Sequence, residues 1–176
     1  MRLGYVIGAE RGALDSLLAD VAGRLQRDGW RLGGVVQINA DRPGRRCDME
    51  LVLLDSGQAR DAADRLRISQ CLGPLSRGCR LDPAGLELAV GLVQAGLRAA
   101  PPQLLIINKF GKAELTGRGF RPVIAEALAA DVPVLLGVGS GNLDGFMEFA
   151  ADMAEAVPDR ADAILDWCAR VAAVET

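Results

Sequence analysis

The sequence predicts an α/β domain in which helices cover both faces of a mainly parallel central sheet. Short apolar runs alternate with segments whose apolar residues recur at helical spacing, as in repeated strand–helix units. The run LLIIN at 104–108 is apolar at successive positions, which is typical of a central strand buried on both faces. The chain has 176 residues, 50% hydrophobic and 24% charged, which is enough for a full core. Residues 1–176 are therefore predicted to form a single three-layer domain.

The first half of the chain begins with a strand and an amphipathic helix. The apolar run at 3–8 is followed from Ala13 by leucines and valines at helical spacing, and Gly29 is a candidate helix C-cap. Between two later strands, NADRPGRRCD at 39–48 is rich in turn residues and arginine, so it is predicted to be a mobile loop. The further strands predicted in this half are 32–38, 49–55 and 68–73.

The second half continues the alternation of helices and strands. Asp82 and Pro83 predict an N-cap and a first helical position, and the Pro-Pro pair at 101–102 ends this helix near Ala99. The central strand at 104–108 comes next. The remaining predicted elements are a strand at 133–138 and helices at 122–130, 142–155 and 160–173.

Composition excludes several classes of function. The net charge of -3 and the pI near 5.0 give no overall attraction to nucleic acid or anionic membranes. The basic RPGRR stretch at 42–46 also lacks aromatic residues for base stacking. Because the chain contains no histidine, it cannot by itself build a Ser-His-Asp triad, a Cys-His dyad or a His-ligated metal site.

The location of the protein is also suggested by the sequence. No stretch reaches about 18 apolar residues, and the N-terminal apolar run is too short for a signal peptide. The four cysteines form no CxxC pair and are expected to be reduced thiols. A soluble cytoplasmic protein without a membrane span is therefore expected.

The segment GAERGALDS at 8–16 joins the first strand to the first helix, where phosphate-binding loops lie in many α/β proteins. Its glycines would let backbone N–H groups turn toward an anion. Against the pattern GxxxxGK[ST], however, Ala13, Leu14 and Asp15 stand where Gly, Lys and Ser/Thr belong, and a glycine turn before a helix is also ordinary loop geometry. Asp15 is equally explained by the helix dipole, which favours a carboxylate in a first turn. The candidate anion-binding residues here are Gly8, Glu10, Arg11, Gly12 and Ala13.

The segment NKFGKAELTGRGFR at 108–121 follows the central strand. It is rich in lysine and arginine, and cations crowded at one edge repel one another unless an anion or a carboxylate neutralises them. An oxyanion or phosphate site and a solvated basic loop, in which Glu114 pairs locally, explain this pattern equally well. The candidate residues here are Asn108, Lys109, Lys112, Glu114, Arg118 and Arg121.

Three segments carry a resemblance to known families: LLIINKFGKAEL, GRGFRPVIAEAL and DVPVLLGVG. They resemble the region around the Walker B strand of the small thermophile-type P-loop nucleoside triphosphatases, and the likeness extends to the Gly8 loop and to GGVVQ at 33–37. The chain looks more similar still to a bacterial family of unknown function that is related to those enzymes and encoded near molybdate-transport genes. The NKFGK segment, CRLD at 79–82 and the Val-Gln that ends the second strand carry this closer resemblance. It implies a P-loop-type fold and an association with molybdenum metabolism.

The chain departs from the triphosphatases at the residues that handle magnesium. Gly111, Lys112 and Glu114 match their Gly-Lys-x-Glu, but Asn108 and Lys109 replace the acidic pair that would hold the metal. Phosphoryl transfer depends on charge neutralisation by lysine and metal, so ordinary magnesium-dependent hydrolysis is not expected. Lys109 is expected instead to supply positive charge to a bare anion.

The favoured hypothesis is a non-catalytic protein of molybdate or tungstate handling or sensing, which binds a compact oxyanion or a nucleotide phosphate without magnesium. Molybdate, tungstate, sulfate and phosphate are all suitable tetrahedral anions. Two alternatives stay open. One is a divergent nucleoside-triphosphate phosphohydrolase whose metal is held by other residues, such as Asp55, Asp82 or Glu114. The other is a scaffold that only binds partner proteins.

Further residues are weaker candidates for the same site. Cys79 lies between Arg77 and Arg80, and nearby cations favour a reactive thiolate, although a structural cysteine is the commoner situation. Ser140 either binds the ligand or caps the next helix. A homo-oligomer and molybdate-transport or molybdenum-cofactor proteins are the partners considered. The additional candidates are Gln37, Cys79, Arg80, Asp82 and Ser140.

Overall fold

The computed structural model describes residues 2–8, 12–42, 45–54, 65–69 and 81–173, which form one seven-stranded sheet and six α-helices. The strands are β1 (Leu3–Gly8), β2 (Leu32–Arg42), β3 (Arg45–Leu53), β4 (Arg65–Arg67), β5 (Leu104–Phe110), β6 (Val134–Gly139) and β7 (Ala154–Ala156). The helices are α1 (Ala13–Arg27), α2 (Pro83–Ala99), α3 (Lys112–Leu115), α4 (Arg121–Ala129), α5 (Leu143–Ala150) and α6 (Ala161–Ala172). Along the sheet the strand order is β4-β3-β2-β5-β6-β1-β7.

The sheet is mainly parallel, as the alternating pattern predicts. Strand β5 pairs in parallel with β2 and β6, and β1 pairs in parallel with β6 and β7. Within the described sheet, β3 alone runs in the opposite direction, because it pairs antiparallel with β2 on one side and with the edge strand β4 on the other. The parallel strands therefore end together at one edge of the sheet, where α/β proteins bind their ligands.

Two apolar layers, one on each face of the sheet, explain why the central strand is apolar throughout. Leu104 and Ile106 pack in a cluster with α1 and α6, whereas Leu105 and Ile107 pack in a second cluster with α2, α4 and α5. This alternation follows from the two-residue period of a strand. The predicted three-layer α/β fold is confirmed.

The hairpin of β2 and β3 corrects one prediction. The segment at 39–48 was predicted to be a mobile loop, but β2 continues to Arg42 and β3 begins at Arg45, with Asn39 opposite Met49. The polar composition of this segment gave no strand pattern. Its strands form because antiparallel pairing joins the backbone N–H and C=O groups by hydrogen bonds, whichever side chains they carry. Residues 43–44 lie outside the described part of the chain.

The region after β6 also differs from its prediction. The helix predicted at 142–155 is shorter, because α5 ends at Ala150 and Ala151 has a positive φ of 45°. Residues Ala154–Ala156 then form β7, which pairs with β1. The three residues of β7, Ala-Glu-Ala, have no strand propensity of their own. They form a strand because they pair with the open edge of β1.

Smaller differences concern short elements. Strand β4 and helix α3 were not predicted, since three- and four-residue elements give no periodic pattern. Within the predicted strand at 68–73, Ser69 forms an isolated bridge with Leu81, and 70–73 lie outside the described residues. The predicted cap of α2 is confirmed, because the Asp82 carboxylate accepts a 3.0 Å hydrogen bond from the Ala84 N–H. None of the helices that the structure describes is long and apolar enough to cross a bilayer.

Candidate functional site

The candidate site lies where β1 and β5 end and α1 begins, beside residues 37–39 of β2. Gly8 is the last residue of β1, and Gly12 is the N-cap of α1 with a left-handed φ of 85°. A residue other than glycine would be strained there, so Gly12 sets the direction in which the chain enters the helix. Ala13 is the first residue of α1, while Glu10 and Arg11 lie outside the described residues.

A β-bulge near the end of β5 positions Asn108 and Lys109. The register between β5 and β6 shifts between Ile107 and Phe110. The carbonyl oxygen of Asn108 leans over Gly137 of β6, where any Cβ atom would collide with it. A bulge bends its strand and re-aims the side chains. Here the buried side chain of Asn108 and the half-exposed side chain of Lys109 both reach the first turn of α1.

Asp15 is a buried carboxylate held by amide groups from two strands. Its Oδ1 accepts a 2.7 Å hydrogen bond from Asn108 Nδ2, and its Oδ2 accepts bonds from Asn39 Nδ2 at 2.8 Å and Gln37 Nε2 at 3.3 Å. The amide of Asn108 is fixed in this orientation because its Oδ1 accepts a 2.9 Å bond from the Gln37 backbone N–H. The amide of Asn39 is fixed likewise, since its Oδ1 accepts a 2.8 Å bond from Gln37 Nε2. The four side chains form one network, called here the Asp15 network.

Lys109 adds a cation to the Asp15 network. Its Nζ lies 3.7 Å from Asp15 Oδ1, a charge contact that is too long for a hydrogen bond. The lysine side chain is 48% exposed and the aspartate side chain only 4% exposed. The ammonium group therefore stands at the mouth of the site with its N–H groups open to solvent, and the carboxylate lies behind it.

Glu114 is a second buried carboxylate, but its partners are backbone groups of its own segment. Its Oε2 accepts a 2.9 Å bond from the Gly111 N–H and its Oε1 a 2.9 Å bond from the Phe120 N–H. These bonds close the turn from the end of β5 to the start of α4, called here the Glu114 turn. No cation contacts this carboxylate within the part of the chain that the structure describes.

The cations of the 108–121 segment do not converge on one point. Arg121 donates a 3.3 Å hydrogen bond to the Glu114 carbonyl oxygen, and its guanidinium carbon lies 4.8 Å from the centre of the Phe149 ring. Lys112 and Arg118 are exposed. Lys109 is thus the cation of this segment that the structure brings to the Asp15 network.

The additional candidates fall in different places. Gln37 belongs to the Asp15 network, Asp82 caps α2, and Ser140 is exposed at the start of the 3-10 turn that follows β6. Cys79, Arg80 and Asp55 lie outside the described residues. Among the residues with described positions, no three His, Cys, Asp or Glu side chains lie together as a metal site requires.

Sequence reasoning missed two members of the Asp15 network. Asp15 was noted at the Ser/Thr position of the GxxxxGK[ST] pattern counted from Gly8, but it was not named as a candidate because the helix dipole also explains a carboxylate there. Asn39 was assigned to a loop. Asn39 is two residues from the candidate Gln37 on the same strand, so their side chains share a face, and this spacing would have indicated Asn39.

Comparison with known proteins agrees with this fold. A family model described as a protein of unknown function (DUF2478) matches residues 3–167. A protein named molybdenum import ATP-binding protein ModC 2, from Bradyrhizobium diazoefficiens, is 36% identical over 148 residues. The match spans 84% of this chain but only 16% of that much longer protein. Nucleoside-triphosphatase THEP1 from Thermococcus kodakarensis is 26% identical over 143 residues, which are 81% of this chain and 78% of that protein.

Two solved structures show the same fold. The solution structure of a human cancer-related nucleoside triphosphatase superimposes with a TM-score of 0.62 at 20% identity and covers 97% of each chain. The crystal structure of THEP1 from the hyperthermophile Aquifex aeolicus gives a TM-score of 0.58 at 15% identity, covering 91% of this chain and 90% of that one. The predicted relation to the small P-loop nucleoside triphosphatases is confirmed at the level of fold.

Proposed function

The chain belongs to the DUF2478 family, and from that premise we propose that it is a non-catalytic binding protein for a compact oxyanion or a nucleotide phosphate, used in molybdate or tungstate handling. The observation that carries the proposal is the contact between Lys109 and the buried Asp15 carboxylate. In this proposal the anion lies between Gly12, at the start of α1, and the end of β5. Lys109 provides its main positive charge.

The Asp15 network does not fit a magnesium ion. Magnesium prefers oxygen ligands, and the Asp15 carboxylate already accepts three amide hydrogen bonds and faces an ammonium group. The two amide oxygens that accept bonds within the network, those of Asn39 and Asn108, are also engaged. Binding a divalent cation there would require several of these bonds to break and would place it beside Lys109.

The Asp15 network suits an anion that carries no proton. A protonated oxyanion needs an acceptor for its O–H group, and Asp15 has little acceptor capacity left because three N–H donors and Lys109 surround it. Molybdate, tungstate and sulfate are fully ionised at neutral pH, whereas phosphate keeps a proton. We therefore expect the first three anions to bind more tightly than phosphate.

The link to molybdenum is supported by the relative named molybdenum import ATP-binding protein, within which a stretch similar to this chain occurs. Since the match covers 16% of that protein, its name describes a much larger chain. Two functions that share one polypeptide chain are often used together. The similarity thus supports molybdate or tungstate as the first anions to test.

A second candidate function is nucleoside-triphosphate hydrolysis. It is favoured by the 26% identity to a protein named nucleoside-triphosphatase, over 81% of this chain. Of the carboxylates proposed to hold its metal, Glu114 is bonded through both oxygens to backbone N–H groups, and Asp82 caps α2. Asp55 lies outside the described residues. This alternative would need metal ligands other than Glu114 and Asp82.

The deciding experiment measures the melting temperature with molybdate, tungstate, sulfate or phosphate in the presence of a magnesium chelator, and with ATP in the presence and absence of magnesium. A ligand at about 100 times its Kd stabilises a protein by about 2.7 kcal/mol, which for this chain length corresponds to a rise of roughly 5–10 °C. We expect such a rise with molybdate or tungstate alone. Phosphate release from ATP is measured in parallel.

Two lysine variants test the assignment of the site. Lys109→Met should weaken anion binding at least about tenfold, because a hydrogen bond to a charged group contributes about 1.5–3 kcal/mol. Lys112→Met, which removes an exposed lysine three residues away, is the matched control and should bind normally. Stabilisation only by ATP with magnesium, together with phosphate release, would establish the hydrolase instead. If none of these ligands stabilised the protein, the partner-binding scaffold would be the remaining hypothesis.

A further inference from the structure

Helix α2 is apolar around most of its circumference. Its 17 residues include only two charged side chains, Glu87 and Arg98. The inner face of α2 packs on the sheet through Leu86, Ala89, Val90, Val93 and Leu97. A helix that is apolar on all sides is normally buried on all sides, so the outer face of α2 requires an explanation.

The outer face presents an exposed apolar stripe at helical spacing. Leu88 is 55% exposed and Leu92 is 43% exposed, and both are among the large exposed hydrophobic residues of the described chain. A Cβ atom added at Gly91 would meet nothing within 4 Å, so the surface beside the leucines is open. The stripe, called here the α2 stripe, consists of Ala84, Leu88, Gly91, Leu92, Ala95 and Ala99.

The α2 stripe is complementary to itself when one copy is turned antiparallel to another. Its midpoint lies between Gly91 and Leu92, so a two-fold axis there places Leu88 opposite Ala95 of a second copy. The same axis places Leu92 opposite Gly91. Each leucine thus meets a small residue, as close helix packing requires.

The charges at the ends of α2 favour the same arrangement. Glu87 and Arg98 lie on one flank of the stripe, near opposite ends of the helix, as their spacing in an α-helix shows. An antiparallel copy therefore brings Glu87 beside the end that carries Arg98. Glu87 makes no ion pair with any residue the structure describes, and Arg98 bonds to Glu126 through Nε and one terminal nitrogen, leaving the other free to donate.

We propose that the α2 stripe is the interface of a homodimer in which two α2 helices pack antiparallel about a two-fold axis. At 1.5 Å per residue the stripe is about 22 Å long, which makes a small interface. The dimer is therefore weak, with a Kd of about micromolar order. This interface lies on a helix that contributes nothing to the Asp15 network, so it stands apart from the proposed anion site.

The first test is the molar mass of the full chain by light scattering and sedimentation, between about 1 and 100 μM, a range that brackets a micromolar Kd. The mass should rise from monomer toward dimer with concentration. Leu88→Glu should hold the protein monomeric at every concentration, because it buries a charge without a partner. Met153→Glu changes a side chain that is 49% exposed outside α2, and should leave the dimer intact.

The second test determines the register. In a background where Cys47, Cys71 and Cys79 are replaced by serine, Leu88→Cys and Ala95→Cys proteins are mixed and oxidised. A covalent dimer should form in the mixture and in neither protein alone, since the antiparallel register brings position 88 against position 95. Cys168 is buried, and burial raises the pKa of its thiol to about 12, so it does not interfere.

Three results would overturn the proposal. A monomer at all concentrations would exclude the dimer. A dimer that survives Leu88→Glu would place the interface elsewhere. Self-crosslinking of Leu88→Cys protein would indicate parallel helices. The melting temperature of each variant shows that its fold is retained.

Discussion

The two buried carboxylates, Asp15 and Glu114, both lie near the C-terminal end of β5, yet their hydrogen bonds are satisfied in different ways. Glu114 bonds to backbone N–H groups three and six residues away in the sequence. Asp15 bonds to side-chain amides 22 to 93 residues away and faces a half-exposed lysine. The first arrangement fixes a turn, whereas the second depends on groups that a ligand at the surface reaches.

This difference separates a structural role from a binding role. Backbone donors move only if the chain refolds, so the Glu114 turn is rigid. The Lys109 side chain is half exposed and contacts Asp15 only through a 3.7 Å ion pair, so it can exchange partners without disturbing the backbone. A ligand can therefore attract Lys109 while Asp15 keeps its amide bonds.

The largest expected effect is that of Glu114→Ala. It leaves the Gly111 and Phe120 N–H groups without their acceptor, and each unpaired N–H costs about 1–3 kcal/mol, so the free energy of unfolding should fall by about 2–6 kcal/mol. Urea unfolding measures this change. Glu114→Gln keeps one acceptor oxygen and should cost about half as much, and the exposed Glu148→Ala should cost less than about 0.5 kcal/mol. A loss below about 1 kcal/mol for Glu114→Ala would show that water replaces the carboxylate.

Gly137→Ala should be the next most damaging change. The new Cβ would collide with the Asn108 carbonyl oxygen and lie 2.9 Å from Leu14 Cδ2, so the bulge of β5 would have to move. Overpacking of this kind costs about 1–3 kcal/mol. Because Asn108 also holds Asp15, anion binding should weaken as well.

The matched control for this glycine is Gly141→Ala, whose added Cβ would meet nothing within 4 Å. It should leave both the unfolding free energy and anion binding unchanged. If Gly137→Ala lowered stability but left anion binding intact, the position of Asn108 would not matter to the site.

The fold was more predictable than the site because strands and helices that cover a sheet leave a periodic apolar pattern. Leu104 to Ile107 alternate between the two faces and indicated the central strand directly. Strand β7 gave no such signal, since its three residues are ordered by pairing with β1. Edge elements of this kind depend on a neighbour that the local sequence does not reveal.

The Asp15 network was hidden for a related reason. The sequence drew attention to the cations after β5, but of those that follow Asn108 only Lys109 reaches the network in the described structure, while Arg121 contacts Phe149. Asp15 and Asn39 are 24 residues apart and belong to no motif that would link them. Only the fold brings their side chains together. Charge pattern identified the edge of the sheet, and tertiary contacts selected the residues.

Asp15→Ala should cost less than either change above. Of the groups that lose a partner, Asn39 is exposed and Lys109 half exposed, so water can replace the carboxylate there. Buried Gln37 also loses a bond, but its Nε2 still donates to Asn39. Asn108 is therefore the buried donor left unpaired, and the cost should be about 1–2 kcal/mol. Asp144→Ala removes an exposed acid from the first turn of α5 and serves as the control for helix-dipole effects, which amount to less than about 1 kcal/mol. A cost equal to that of Glu114→Ala would remove the distinction between the two carboxylates.

Lys109→Met should have the smallest effect on stability. The Nζ atom is 3.7 Å from Asp15 and the side chain is half exposed, and ion pairs of this kind contribute less than about 1 kcal/mol. The small remaining contribution should shrink further in high salt, which screens the exposed ammonium group. Urea unfolding of Lys109→Met and Lys112→Met at low and high salt measures both effects. A loss above about 2 kcal/mol for Lys109→Met would mean that the buried carboxylate depends on its cation, because leaving a buried charge uncompensated is what makes such removals costly. An anion that drew Lys109 away from Asp15 would then leave the buried carboxylate without its cation and incur the same loss of free energy. Anion binding would therefore be weak, even if the anion made every predicted contact.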